Sequence, residues 1–249
     1  MMPRMPRPTL LVFTLGPEAE AQRHPLLPEA LRGEETRLRQ ACLASVVAAG
    51  RAAGCRVLIC SPMPLGAAGA DLWSRQVGAD FGERFRRGLE TAEGLGGPVV
   101  AVGADVPGLS AAHLRRALEA VASDPDGVVV GPSLDGGFYL VAGARPLSGL
   151  VGAVRWCGPD TRRTLLAALR AAGRAVRLLE ALGDLDAPAD LERWVASGPA
   201  PSVDLAGGRR RLIRILAERR RPDDRSDRPR PSAAPAPRRG RAPPLAPSA

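Results

Sequence analysis

VVAVGADVPGL, residues 99–109, opens as an uninterrupted apolar, β-branched run and breaks at Gly103, the pattern of a parallel strand buried on both faces. Asp105 then stands just past the strand's carboxyl end, where ligands bind in open α/β sheets. Pro107 keeps the chain extended, and Gly108 turns it toward a helix capped by Ser110, with Leu114, Ala117, Leu118 and Val121 as its buried stripe. A carboxylate in that place suits a divalent metal bridging substrate phosphates, because Mg2+ takes one or two carboxylates together with phosphate and water. The same residue also serves as an ordinary turn former.

Upstream, the run Thr9 to Thr14 reads as a second buried strand, followed by a loop of about 18 residues. A helix is expected from Glu34 to Ala53, stopped at Gly54, then a strand from Cys55 to Cys60 and two helical pieces between Asp71 and Gly94. Downstream come strands at 128–130 and 138–142, a helix at 161–172, a strand at 175–179 and a helix at 187–196. Strands alternating with helices at this spacing predict an α/β three-layer sandwich with a mostly parallel central sheet. The division expected is a disordered N-terminus at 1–8, a domain at 9–198 and a Pro/Arg-rich tail at 199–249, with a short helix at 208–221 and disorder elsewhere.

The net charge of +9 belongs to the tail: from Ala206 onward 13 Arg oppose 4 acids, and the remainder of the 249 residues is neutral. Weak, salt-sensitive polyanion binding is expected of the tail alone. With 3 % aromatics the chain lacks the stacking platforms of single-stranded nucleic-acid binders. Apolar runs such as 10–13 and 165–169 are far below the roughly 18 to 20 residues that span a bilayer, so no membrane span is expected and the cytoplasm is the expected location. Cys42, Cys55, Cys60 and Cys157 show no metal spacing and read as buried reduced thiols, with Cys55 and Cys60 facing opposite sides of one strand. His113 reads as solvated on the outer side of its helix, and His24 as a loop residue without a sequence partner.

Two further segments carry carboxylates. In GPSLDGGFYLVAG, residues 131–143, Asp135 precedes Gly136 and Gly137, which permit close backbone approach to a ligand, although Asp-Gly is also a common hairpin turn. In DLDAPADL, residues 184–191, Asp186, Pro188 and Asp190 fit ordinary helix-start chemistry.

Taken in order, VGADVPGL, GPSLDGGFYLVAG and DLDAPADL resemble the bacterial DUF2064 family, glycosyltransferase-like proteins of the GT-A (nucleotide-diphospho-sugar transferase) superfamily. Gln76, Gly78 and Asp80-Phe81-Gly82-Glu83-Arg84 resemble the family's Q-x-G-x-D-L-G-E-R block, and Trp156 falls where a Trp is usual. The resemblance covers about residues 9–196. It implies a metal-dependent transferase moving a glycosyl group from a nucleotide sugar to a small acceptor. Asp105 and Asp186 would hold Mg2+ or Mn2+, Asp135 would be catalytic, and Arg23, Arg84, Gly103, Pro107, Gly136 and Gly137 would line the substrate site. A nucleotidyltransferase releasing pyrophosphate uses the same sheet, and a non-catalytic member is a third reading.

One departure from the family stands out. After the first strand it reads close to F-A-K-x-P-x-P-G-x-x-K-T-R-L, whereas this chain has FTLGPEAEAQRHPLL. Leu15 replaces the first Lys, Glu20 the Gly, His24 the Thr and Pro25 the Arg, leaving Arg23 as the one basic residue. Weaker binding of a nucleotide donor is expected, since charge-assisted phosphate contacts contribute about 1.5 to 3 kcal/mol each.

Overall fold

The computed structural model describes residues 6–66, 69–197 and 207–214. The chain runs β1 (Thr9–Phe13), α1 (Pro17–Arg23), α2 (Arg32–Ala52), β2 (Arg56–Ser61), β3 (Leu72–Arg75), α3 (Phe81–Glu93), β4 (Val99–Gly103), α4 (Ala111–Ser123), β5 (Val128–Pro132), β6 (Phe138–Gly143), α5 (Thr161–Ala171), β7 (Val176–Leu178) and α6 (Pro188–Ala196). Seven strands form one sheet in the order β3-β2-β1-β4-β6-β5-β7. Only β6 is antiparallel to its neighbours. This is the α/β sandwich with a mostly parallel sheet that the strand and helix spacing predicts.

Alternation along the strands builds two cores. Leu10, Val12, Val57, Ile59, Val100 and Val102 face α2 and α4, where Val46, Leu114, Ala117 and Val121 meet them. Leu11, Leu58, Val99, Ala101 and Val141 face the other way, against Phe85 and Leu89 of α3 and Leu165 and Leu169 of α5. Cys55 and Cys60 enter opposite cores, as their separation of five predicts. Cys157, in contrast, is exposed.

Register brings five connecting segments to one end of the sheet. Phe13 pairs with Cys60 and with Gly103, so β1, β2 and β4 finish level. Because β6 runs back beside β4, the β5–β6 hairpin carrying Asp135 turns at that same end. β7 parallels β5, and the bridge Ser133 to Leu182 carries the chain on so that Asp184 and Asp186 arrive beside the hairpin.

Three expectations need correction. The long loop after β1 contains α1, PEAEAQR, which has Pro17 in its first turn with Glu18 and Glu20, and Arg23 in its last turn. Only Pro17 and Ala21 are buried there, so no apolar stripe betrays the helix. Residues 72–75 form an edge strand rather than a helix; three of the four are exposed, and the strand is held by pairing to β2 and by Trp73 Nε1 donating to Ser61 Oγ at 2.9 Å. His113 is not solvated: its Nδ1 accepts from the Ser110 N–H at 3.1 Å, and its Nε2 lies 2.8 Å from Glu180.

Among the described residues no helix is long and apolar enough to cross a membrane. At the N-terminus, Arg7 Nη2 donates to the Cys55 carbonyl at 2.7 Å. Residues 207–214 are helical; Leu212 is buried, Arg209 donates to the Val195 carbonyl at 2.6 Å, and Arg211 pairs with Glu34 at 2.6 Å. The rest of the expected 208–221 helix, the proposed polyanion-binding tail beyond it and residues 1–5 lie outside the described residues. Truncation after Gly198 is expected to lower the melting temperature by roughly 5 °C, the effect of exposing one buried leucine and its partners. Calorimetry showing no change would place residues 207–213 outside the folding unit.

Candidate active site

The level strand ends enclose a cavity of about 510 Å³. Its lining includes Thr14, Leu15, Glu20, Arg23 and His24 after β1, Gln76 and Arg84 from the β3–α3 side, and Gly103 and Asp105 after β4. The β5–β6 hairpin adds Asp135, Gly137 and Phe138, the loop before α5 adds Trp156 to Pro159, and the segment before α6 adds Asp184 and Asp186. Nearly all the proposed site residues thus converge. Pro107, which is buried, and Gly136 are not among the residues that line the cavity. Gly136 has φ +101°, and a Cβ there would lie 2.7 Å from the Pro159 carbonyl, which accounts for the glycine structurally.

Sequence reasoning pairs Asp105 with Asp186. The three carboxylates that each bring one oxygen within 4.8 Å of the others are Asp135, Asp184 and Asp186. Asp184 is the residue that reading overlooked; its signal is the alternation Asp-Leu-Asp, in which Leu185 is buried and its two neighbours turn to the cavity. The helix-start role read into Asp186 belongs to Asp190, whose Oδ2 accepts from the Ala187 N–H at 2.7 Å and the Asp186 N–H at 3.2 Å. Asp186 keeps its carboxylate for the cavity.

Crowding of like charge is written into these groups. Burial, followed by the charges of Asp186, Glu20 and Asp184, pushes the Asp105 carboxyl up to about 8. Asp184 is pushed up to about 6 by burial and then by Asp135, with the Ser133 hydroxyl acting in the opposite direction. Asp186 is also raised, first by burial, while His24 pulls it down. None of Asp135, Asp184 and Asp186 forms an ion pair among the described residues.

The donor set fits a hard divalent cation: three carboxylates close together, none of them in an ion pair among the described residues. Arg23 and Arg84, both at the cavity, form no ion pair among the described residues, and Arg84 Nε is buried without an acceptor. Also in the lining, Phe13, Phe81, Phe85, Phe138 and Trp156 form one aromatic cluster, with Trp156 centred 5.1 Å from both Phe81 and Phe85. Gly82 permits it, since a Cβ there would stand 2.6 Å from the Trp156 indole.

A carboxyl at about 8 when folded and near its ordinary value of 3.8 when unfolded stabilises the fold in acid and loses that contribution as pH rises through 8. Asp105→Asn is therefore expected to melt several degrees above the wild type at about pH 9 in EDTA and to match it at about pH 4. Identical melting at the higher pH would show that Asp105 carries no such strain.

Solved structures of α/β transferases share the fold. A proposed nucleotide-diphospho-sugar transferase from Desulfovibrio desulfuricans superposes with a TM-score of 0.71 at 16 % identity, over 84 % of this chain and 97 % of its own. Rv0371c from Mycobacterium tuberculosis gives 0.50 at 20 % identity, over 78 % and 100 %. CMP:2-keto-3-deoxy-manno-octonic acid synthetase, complexed with CTP, gives 0.50 at 15 % identity, over 84 % and 100 %. By sequence, the chain matches DUF2064, a family described as uncharacterized and conserved in bacteria, over residues 45–158. That span holds Gln76, Arg84, Asp105 and Asp135 and ends before Asp184. No curated protein matches.

Proposed function

We propose that this chain is a metal-dependent transferase of the GT-A type, moving a glycosyl group from a nucleotide-sugar donor to a small acceptor. The observation that carries the reading is the convergence of Asp135, Asp184 and Asp186 in a cavity that also holds two arginines without ion-pair partners. These three aspartates would hold Mg2+ or Mn2+, with Asp105 beside them at the end of β4. Bound there, the cation supplies neutralisation of the charge that grows on the departing nucleoside diphosphate. Arg84 and Arg23, which line the same cavity, pair with phosphate oxygens. The aromatic wall offers an apolar face to the sugar, and Asp135, on the hairpin at the cavity mouth, orients the acceptor hydroxyl.

The cavity's charge favours this reading over nucleotidyl transfer. Glu20, Asp135, Asp184 and Asp186 face only Arg23, Arg84 and His24, so a nucleotide-sugar donor, carrying about two negative charges fewer than a nucleoside triphosphate, meets less repulsion. Thermal-shift measurements with nucleotides and nucleotide sugars test it, because a ligand that binds only the folded chain raises its melting temperature. Stabilisation by a nucleotide sugar with Mn2+, reversed by EDTA, is the expected result. Stabilisation by nucleoside triphosphates alone, with pyrophosphate released, would move the assignment to nucleotidyl transfer, and no shift with any of them would refute both.

A further inference from the structure

The geometry points to Arg39 of α2 as the positioning residue that sets the metal affinity of the aspartate site; the inference rests on the metal reading above. Arg39 and Glu35 are 5 % and 0 % exposed, and their side chains pair at 3.2 Å one helical turn apart. Two buried opposite charges are expensive to desolvate, and removing one partner alone leaves the other uncompensated, so the pair needs further hydrogen bonds to be tolerated. Those bonds run to the site. Glu35 Oε2 accepts from the Leu26 and Leu27 N–H groups at 3.0 and 3.1 Å. Arg39 Nη2 donates to the carbonyl of His24, a cavity residue, and Nη1 to the carbonyl of Leu185 at 3.4 Å.

Leu185 lies between the two aspartates of the Asp-Leu-Asp segment. Its N–H donates to the Asp105 carbonyl at 3.0 Å, its carbonyl receives Arg39, and its side chain is 1 % exposed. The residue is therefore fixed at both polar groups and at its side chain, which leaves Asp184 and Asp186 turned to the cavity in one arrangement. The guanidinium fork fits this duty because it bonds two carbonyls from one rigid plane, whereas an ammonium does not. Repulsion among Asp135, Asp184 and Asp186 drives the segment away from the hairpin, and Arg39 opposes that movement without touching any ligand. Outer residues that orient metal-ligating groups commonly change affinity by tenfold to a hundredfold.

Mn2+ titration followed by electron paramagnetic resonance, on the full chain and on Arg39→Lys and Arg39→Met, tests the inference, with each variant's folding checked by circular dichroism. A rise in dissociation constant of about tenfold for Arg39→Lys and more for Arg39→Met is expected. Folded variants that bind Mn2+ as the wild type does would reduce Arg39 to a structural role and overturn the proposal. If neither variant folds, hydrogen exchange on the wild type decides: Mn2+ should protect the Leu185, Leu26 and Leu27 amides together, and protection of Leu185 without the other two overturns it. A wild type that binds no Mn2+ fails earlier, at the metal site itself, and takes this proposal with it.

Discussion

Asp184→Asn combined with Asp186→Asn is expected to weaken Mn2+ binding by at least about a hundredfold, close to 3 kcal/mol. The double variant keeps the shape of both side chains and removes two of the three carboxylate charges that bring one oxygen each within 4.8 Å of the others. Amide oxygens remain as ligands, but they bring no net charge to a dication. The same variant should gain stability without metal, because Asp184 and Asp186 are raised by burial and by neighbouring carboxylates, and a raised carboxyl weakens the fold as pH climbs through its folded value. Loss of Mn2+ affinity together with a higher melting temperature at about pH 8 in EDTA is the expected signature. A variant that binds Mn2+ like the wild type would show that the cluster is not the metal site.

How far the sequence reveals this architecture depends on burial. β1, β2 and β4 are covered on both faces, so their apolar runs stand out, and α2, α4 and α5 carry apolar stripes against the sheet. β3 and α1 contribute almost no buried surface, and their residues carry no periodic mark; each is held by hydrogen bonds to neighbours that sequence spacing does not reveal. The site follows the same division. Asp105 and Asp135 are legible because each follows or precedes a glycine break at a strand end. Asp184 is concealed by the helix-start chemistry of the DLDAPADL segment, and only the pairing of β7 with β5, extended by the Ser133–Leu182 bridge, brings it to Asp135. Arg39, with a guanidinium inside an amphipathic helix, looks like a surface residue until the chain around it closes.

The altered segment after β1 motivates the second large effect. Glu20 lines the cavity, and its Oε1 accepts the Leu15 N–H at 3.0 Å. The carboxylate thus occupies a backbone donor at a strand end, and it adds its negative charge to those of Asp135, Asp184 and Asp186 in the same lining. An incoming phosphate meets an anion at that place. Removing the charge by Glu20→Gln keeps a neutral acceptor for Leu15, while Glu20→Ala also frees the N–H. Leu15→Lys adds a cation from a position that already lines the cavity, whereas Pro25, the other position where the family pattern is basic, is exposed and does not reach it. Calorimetric titration with a nucleoside diphosphate at constant Mn2+ should show roughly tenfold tighter binding for Glu20→Ala and for Leu15→Lys, each equivalent to about 1.4 kcal/mol. A smaller gain is expected for Glu20→Gln, since the Leu15 N–H remains engaged. The two favourable changes should combine less than additively, because both act on the same phosphate. If all three variants fold and bind as the wild type does, the diphosphate does not approach Leu15 and Glu20, and Arg84 becomes its anchor.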